Sequence, residues 1–202
     1  MSWLHIILDN GHGKETPGKR SPVRKDGSRL YEWESNRELV RLVANRLDRK
    51  GVSYDALVPE TRDVPLYERA TRANHIARQH GVNNTLLVSI HSNAGGGTGI
   101  EVFTSPGTTL SDDYAEFFYE EWPKMGTTFP ARKDTTDGDS DKEADFAILR
   151  KTAGPAVLVE ALFMDREADL NYLMSPEGRE LLADWISASI LRCVAHHEQM
   201  MR

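Results

Sequence analysis

Two histidines and one glutamate each stand at the end of an apolar run of the sequence. His12 follows the run 3–8, His91 follows 85–90, and Glu160 follows 155–159. Short apolar runs that are rich in β-branched residues are typical of buried strands in an α/β sheet. Such sheets place ligand sites at the carboxyl ends of their strands. We therefore expect the three side chains at one sheet edge, where two imidazoles and a carboxylate are the groups that build a zinc hydrolase site.

A catalytic zinc ion takes three protein ligands, and His12 and His91 supply only two of them. Two carboxylates at the start of the first predicted helix, Glu32 and Glu34, are candidates for the third. A helix N-terminus tolerates a carboxylate because the helix dipole is positive there. The residue types and their spacing leave Glu32 and Glu34 as alternatives.

The surroundings of His12 and His91 distinguish them from the other histidines. Gly11 and Gly13 flank His12 and free the backbone on both sides of its imidazole. His91 precedes a polar turn that contains three consecutive glycines. The remaining histidines lack such a setting and are interpreted as ordinary surface or helix residues; they are His5, His75, His80, His196 and His197.

Three further carboxylates are candidates for roles beside the metal. Glu160 at the mouth of the site has an obvious use as a general base, and then as a general acid toward the leaving amine. Partial desolvation would raise its pKa toward the working range. The alternative is that Glu160 only caps its strand or pairs with a basic residue. Asp9 and Asp63 are candidates for orienting the ligands, although each equally fits a cap or turn residue.

The rest of the chain predicts strands that alternate with helices. Strands are predicted at 3–8, 53–58, 85–90, 100–104 and 156–160, and helices at about 31–50, 66–80, 111–122 and 176–197. Alternation of this kind implies an α/β fold in a single domain, residues 1–202. Its twisted, mostly parallel sheet has about five or six strands, with helices on both faces. Gly51 is expected to cap the end of the first helix, and Ser175 the start of the last.

Two irregular segments, 13–30 and 123–145, interrupt this pattern. Loops of this length in a compact domain are usually functional or disordered. Both neighbour candidate site residues in the sequence, so we expect them to form the rims of a substrate site. Six of the charged residues in the second segment carry the expectation that it stays out of the core: Lys133, Asp134, Asp137, Asp139, Asp141 and Lys142.

Composition excludes several other functions. The net charge of −6 over 202 residues argues against nucleic acid as a partner, because phosphate binding needs a basic patch. No run of about 18 apolar residues exists, so no transmembrane segment is predicted. The single cysteine, Cys193, excludes an intramolecular disulfide and lies in an apolar helical stretch, where we expect it to be buried rather than nucleophilic.

Five blocks, in this order along the chain, resemble the zinc-dependent N-acetylmuramoyl-L-alanine amidases of the amidase-3 family. They are 6–13, 32–36, 66–74, 88–94 and 155–163. The family's Glu-x-x-x-Asn pattern falls on Glu32 and Asn36, so the resemblance favours Glu32 over Glu34 as the ligand. Asn10 replaces a proline usual in the family, and Asp165 stands where the family often has Asn; neither change removes a ligand. Segments 31–34 and 102–107 are similar to a subgroup of phage and Bacteroides-type lytic enzymes.

The resemblance implies hydrolysis of the amide between N-acetylmuramic acid and L-alanine. It implies one zinc ion per chain, held by His12, Glu32 and His91, with Glu160 as the catalytic acid and base. The partners would be the peptidoglycan stem peptide and muramic acid. A zinc peptidase acting within the stem peptide and a non-catalytic peptidoglycan-binding module are the alternatives.

The expected place of action is the cell wall or periplasm. The N-terminus has no basic region followed by an apolar stretch, and so shows no signal-peptide pattern. A phage lysin, an unusual export route and trimming from a longer chain would each account for this. The sequence does not determine the oligomeric state.

Overall fold

Six strands form one sheet in the computed structural model, which describes residues 4–202. They are β1 (His5–Asn10), β2 (Tyr54–Ala56), β3 (Thr85–Asn93), β4 (Ile100–Thr104), β5 (Lys142–Glu143) and β6 (Ala156–Phe163). Their order across the sheet is β2-β1-β3-β6-β4-β5. All neighbouring strands are parallel except β4 and β6. The predicted start of the first strand at Trp3 lies outside the described residues.

Helices pack on both faces of this sheet, which confirms the predicted fold class. They are α1 (Glu32–Lys50), α2 (Leu66–His80), α3 (Leu110–Glu121), α4 (Ala147–Lys151), α5 (Glu167–Met174) and α6 (Pro176–Met200). Both predicted caps are confirmed. Gly51 ends α1 in the left-handed conformation, with a φ of 67°, and the Ser175 side chain accepts a hydrogen bond from the Gly178 backbone N–H over 3.0 Å. The sequence did not predict α4 and α5, because five and eight residues are too short to show helical periodicity.

Side chains alternate across each strand and divide the core into two layers. Leu8 and Val88 face the layer built with α1, α3, α5 and α6. Ile7, Leu87 and Leu158 face the opposite layer, which α2 and α4 cover. Polar side chains continue this second face at the carboxyl ends of the central strands, and they form the candidate site.

The two central strands continue beyond their predicted ends. β3 runs to Asn93 and β6 to Phe163, so His91 lies within β3 rather than after it, and Glu160 lies inside β6 rather than at its end. The prediction was wrong on this point because the ladder of backbone hydrogen bonds continues past the apolar run. His91 pairs with Glu160, but Asn93 pairs with Phe163, and Leu162 in between has a φ of 66°. This irregularity directly follows the His91–Glu160 pair, a position typical of bulges beside functional sites.

Part of the 123–145 segment belongs to the sheet rather than to a rim. Its strand β5 pairs in parallel with β4. Asp141 is only 1% exposed and accepts a hydrogen bond from the Thr104 hydroxyl over 2.6 Å. The expectation that the charged residues of this segment avoid the core is therefore wrong for Asp141. Burial, together with the nearby Asp139 and Asp112, raises the pKa of this carboxyl above its usual range and so favours its uncharged form.

The expected burial of Cys193 is confirmed. It is inaccessible to solvent, with its sulfur 3.7 Å from the Tyr114 carbonyl oxygen, and burial raises the pKa of its thiol. A thiol that does not ionise is a poor nucleophile. Within residues 4–202, no helix has the length and apolar character needed to cross a membrane.

Candidate active site

His12, Glu32 and His91 come together at the carboxyl edge of the sheet. The His12 Nε2 and Glu32 Oε1 atoms are 3.2 Å apart. The His91 Nδ1 atom lies 3.2 Å from His12 Nε2 and 3.3 Å from Glu32 Oε1. Ligand atoms held about 2.0–2.1 Å from a tetrahedral zinc ion are separated by about 3.3–3.4 Å. The three atoms therefore form a triangle of the size that one zinc ion requires, and the donor set of two imidazoles and a carboxylate suits that metal.

The structure brings Glu32, and not Glu34, to the histidines. Glu32 is the first residue of α1 and only 1% exposed, whereas Glu34 is exposed to solvent two positions along the helix. Burial by itself would raise the pKa of Glu32, but the adjacent imidazoles of His12 and His91 outweigh it and hold this pKa well below its usual range. Glu32 is thus anionic, as a metal-binding carboxylate must be. Its second oxygen, Oε2, has no hydrogen-bond partner among the described residues.

A glycine is required on each side of His12, because neighbouring groups approach the backbone closely there. A Cβ atom on Gly11 would lie 2.1 Å from the His91 ring, and one on Gly13 would lie 2.2 Å from the backbone of Asp63. His12 itself has a φ of 66°, in the left-handed region that non-glycine residues rarely adopt. The Gly-His-Gly sequence therefore reflects two close contacts as well as backbone freedom.

Side chains from α1 and α2 hold the strained turn at His12 in place. Arg69 and Arg37 donate to the His12 carbonyl oxygen over 2.9 and 3.1 Å. Asn36 donates to the carbonyl oxygen of Gly11 over 3.1 Å. Strained backbone persists only where its surroundings determine it in this way. The two helices therefore fix the direction in which the His12 ring points.

A chain of hydrogen bonds fixes the protonation of His91. Arg69 donates to Asp9 over 2.6 Å, and the Ser89 hydroxyl donates to the other oxygen of Asp9 over 2.7 Å. The Ser89 oxygen is then free to accept from the His91 Nε2–H, which lies 3.2 Å away. Because the proton is held on Nε2, the lone pair of Nδ1 faces His12 and Glu32, as a metal ligand requires.

Replacement of Ser89 by alanine is therefore expected to weaken zinc binding by about 10–100-fold, the usual effect of removing a group that orients a ligand. Isothermal titration of zinc into the apoprotein measures this directly. Ser92→Ala is the matched control, because Ser92 is also buried but its hydroxyl has no partner in the described structure. Equal affinities for the Ser89 and Ser92 variants would contradict the proposed orienting role.

The other sequence candidates occupy different positions. Asp9 reaches His91 only through Ser89, and Asp63 lies at the surface, 3.9 Å from Arg69. His5 is buried in β1 beside Asp55, so its interpretation as a surface or helix residue was wrong. The ligand atoms of His5, Asp55 and His80 lie within 4.8 Å of one another, but the two imidazoles stack in parallel with centroids 3.7 Å apart. An ion in the plane of one ring would lie outside the plane of the other, so this stacking is unsuited to coordination.

Glu160 lies next to the candidate metal triangle. Its backbone pairs directly with that of His91 on the neighbouring strand. Burial raises the pKa of Glu160 to about 7, and the nearby carboxylates of Glu32 and Glu101 act in the same direction, while His91 acts against them. One carboxylate oxygen has no hydrogen-bond partner among the described residues. A carboxyl group with these properties can exchange a proton near neutral pH.

Sequence reasoning missed Glu101, which lies on the other side of Glu160. Its backbone pairs with that of Glu160 across the antiparallel β4–β6 ladder, and the residue is 5% exposed. Hydrogen bonds from Arg132 and Asn93 and an ion pair with Lys142 hold its carboxylate. The pattern that could have indicated Glu101 is a single charged residue within the apolar strand predicted at 100–104.

A cleft of about 260 Å³ adjoins His12 and His91. Val64, Pro65 and Ile148 contribute an apolar wall to it. A larger cavity of about 560 Å³ includes Pro155, which precedes β6, and so lies at the opposite edge of the sheet. The small cleft therefore adjoins two of the candidate metal ligands, whereas the larger cavity adjoins none of them.

The fold and the site together define an α/β protein with a candidate metallohydrolase centre. Residues 6–192 match the model of the amidase-3 family, described as N-acetylmuramoyl-L-alanine amidase, and the chain belongs to this family.

Several known proteins are similar to this chain. It is 31% identical over 175 residues to the N-acetylmuramoyl-L-alanine amidase CwlM of Bacillus licheniformis, covering 85% of this chain and 61% of that protein. It is also 31% identical over 174 residues to the endolysin of Bacillus phage SPP1, covering 80% and 55%. The chain thus spans little more than half the length of these relatives.

Solved structures have the same fold. An N-acetylmuramoyl-L-alanine amidase from Clostridium difficile 630 superposes with a TM-score of 0.79 at 24% identity, over 95% of this chain and 97% of that one. AmiC2 of Nostoc punctiforme, an N-acetylmuramoyl-L-alanine amidase, gives a TM-score of 0.76 at 26% identity, over 96% and 98%.

Proposed function

We propose that this chain hydrolyses the amide bond between N-acetylmuramic acid and L-alanine in peptidoglycan, with one zinc ion bound by His12, Glu32 and His91. The observation that carries the proposal is the triangle of three ligand atoms, 3.2–3.3 Å apart, beside the half-buried Glu160 in a chain of this family. When bound, zinc supplies a Lewis acid that polarises the scissile carbonyl and makes water more acidic.

Glu160 then performs the proton transfers. Its carboxylate accepts a proton from the attacking water and donates that proton to the alanine nitrogen as the amide bond breaks. A pKa raised by burial suits both steps, because the group gains and loses a proton near neutral pH. Glu160 is separate from the ligand group formed by His12, Glu32 and His91, which supports a role in proton transfer rather than in metal binding.

Residues 1–202 would form a single catalytic domain that acts in the cell wall or periplasm. The similarity to a phage endolysin supports a lytic role, and the phage and Bacteroides-type subgroup remains part of this proposal. A zinc peptidase that cuts within the stem peptide would use the same groups. A non-catalytic binding module is disfavoured by the presence of both the ligand triangle and Glu160.

Mass spectrometry of the products from a defined muropeptide separates these functions. The proposal predicts two products, a muramic acid derivative with a free lactyl carboxyl group and a peptide with a free N-terminal alanine. Activity should disappear on chelation and return with zinc. Peptide fragments that remain attached to muramic acid would indicate a peptidase instead, and intact muropeptide bound to the protein would indicate a binding module.

A further inference from the structure

Three residues lie side by side across the site on neighbouring strands. His91 on β3 pairs with Glu160 on β6, and Glu160 pairs with Glu101 on β4. Residues directly opposite in an antiparallel pair point to the same face of the sheet, with Cβ atoms about 4.5–5.5 Å apart. The Glu101 carboxylate is therefore the neighbour of Glu160 on the side away from the candidate metal.

Glu101 anchors two cations at this position. Arg132 donates through Nε to Glu101 Oε1 over 2.7 Å, and the Lys142 Nζ atom lies 2.9 Å from the same oxygen. Asn93 donates to the second oxygen over 2.6 Å. One carboxylate thus faces two cations, which leaves this group with one net positive charge. Glu101 is buried on β4, and Lys142 lies on β5, which pairs with β4, so the group is built on the sheet.

The Arg132 guanidinium retains capacity for another partner. It uses only its Nε in the hydrogen bond to Glu101. Its two terminal nitrogens make no hydrogen bond within residues 4–202. Its side chain is 43% exposed and lies over the Phe163 ring, with 5.4 Å from the guanidinium carbon to the ring centroid. A guanidinium held in one orientation with free N–H groups is suited to bind a carboxylate.

We propose that Arg132 and Lys142, held by Glu101, form a subsite for a free carboxylate of the substrate's stem peptide. This inference rests on the proposed function, because it assumes that the bond being cleaved lies between the metal and Glu160. A peptide that extends from this bond past Glu160 reaches the two cations within about one or two residues, at about 3.3 Å per extended residue. The subsite then favours peptides whose acidic residues keep their carboxylates over peptides in which these groups are amidated.

The test compares muropeptides that are identical except that each stem-peptide carboxylate is free or converted to an amide, one position at a time. For one stem-peptide position, we expect the wild-type kcat/KM for the free form to be about tenfold higher than that for the amidated form. A hydrogen bond to a charged group has about this effect. The difference should lie in KM. Arg132→Gln and Lys142→Gln should each lose most of this preference. Each single variant leaves one cation on Glu101, so the buried carboxylate stays paired.

Lys133→Gln is the matched control. Lys133 lies in the same segment but contacts Ser140 and the Tyr119 ring instead of Glu101, so this variant should keep the wild-type preference. Equal hydrolysis of all free and amidated forms by the wild-type protein would overturn the subsite and leave the proposed function intact. A variant that loses the same factor on every substrate would also overturn it, because that result marks a structural or positioning effect. Failure to hydrolyse any muropeptide with zinc present would instead count against the proposed function.

Discussion

Glu160→Gln is expected to lower the rate of amide hydrolysis by roughly 10²–10⁴-fold, the usual contribution of a general acid and base. Glutamine keeps the size of the side chain but cannot accept or donate the proton. The variant should retain one zinc ion per chain and should still bind peptidoglycan, because Glu160 lies outside the group of ligand atoms. Steady-state kinetics on a defined muropeptide, together with zinc analysis of the same sample, measure both properties.

The pH dependence of hydrolysis by the wild-type protein should report the same group. Glu160 must be ionised to accept a proton, so the rate falls as pH decreases through its pKa. Burial raises this pKa to about 7, and a zinc ion at His91 would lower it, so the acidic limb of kcat/KM should lie between the ordinary carboxyl value of 4.5 and about 7. The residual activity of Glu160→Gln should lack this limb. Near-normal turnover of the variant would place the base elsewhere, and loss of zinc would make Glu160 a ligand.

Glu32→Ala is expected to abolish zinc binding, whereas Glu34→Ala should leave it unchanged. The two residues have the same chemistry and lie two positions apart, but only Glu32 is buried against the histidines. Loss of a direct ligand should reduce zinc affinity by more than the roughly 10–100-fold found for groups that only orient ligands. Plasma emission spectroscopy of the dialysed proteins gives the zinc content.

His12→Ala and His91→Ala should lose zinc and activity together with Glu32→Ala. His75→Ala serves as the control for the histidine variants, because His75 is exposed on α2. A wild-type zinc content in the His12 or His91 variant, or loss of zinc from Glu34→Ala in place of Glu32→Ala, would contradict the assignment of the ligands.

Much of the fold follows from the sequence pattern. The runs that end near His12, His91 and Glu160 do form neighbouring strands, because buried central strands need continuous apolar residues. The positions of α1 and α6 were also predictable, since Gly51 and Ser175 mark their ends with specific backbone and side-chain requirements. Because these neighbouring strands are parallel, their carboxyl ends meet at one edge of the sheet, where the candidate site lies.

Other features depend on contacts that a single sequence does not display. Spacing alone did not separate Glu32 from Glu34, because the choice depends on how α1 is rotated against the sheet. Asp141 appeared too polar to bury, yet the Thr104 hydroxyl satisfies one oxygen of its carboxyl group in the interior. The orientation of His91 depends on Ser89, whose role appears only once β1 and β3 are placed side by side.

The most direct test of the zinc site is an anomalous difference map, collected at the zinc absorption edge from crystals of the protein grown with zinc. We expect one strong peak over the triangle formed by His12 Nε2, Glu32 Oε1 and His91 Nδ1, about 2.0–2.1 Å from each atom. No peak in this triangle, or a principal peak at the group of His5, Asp55 and His80 instead, would contradict it.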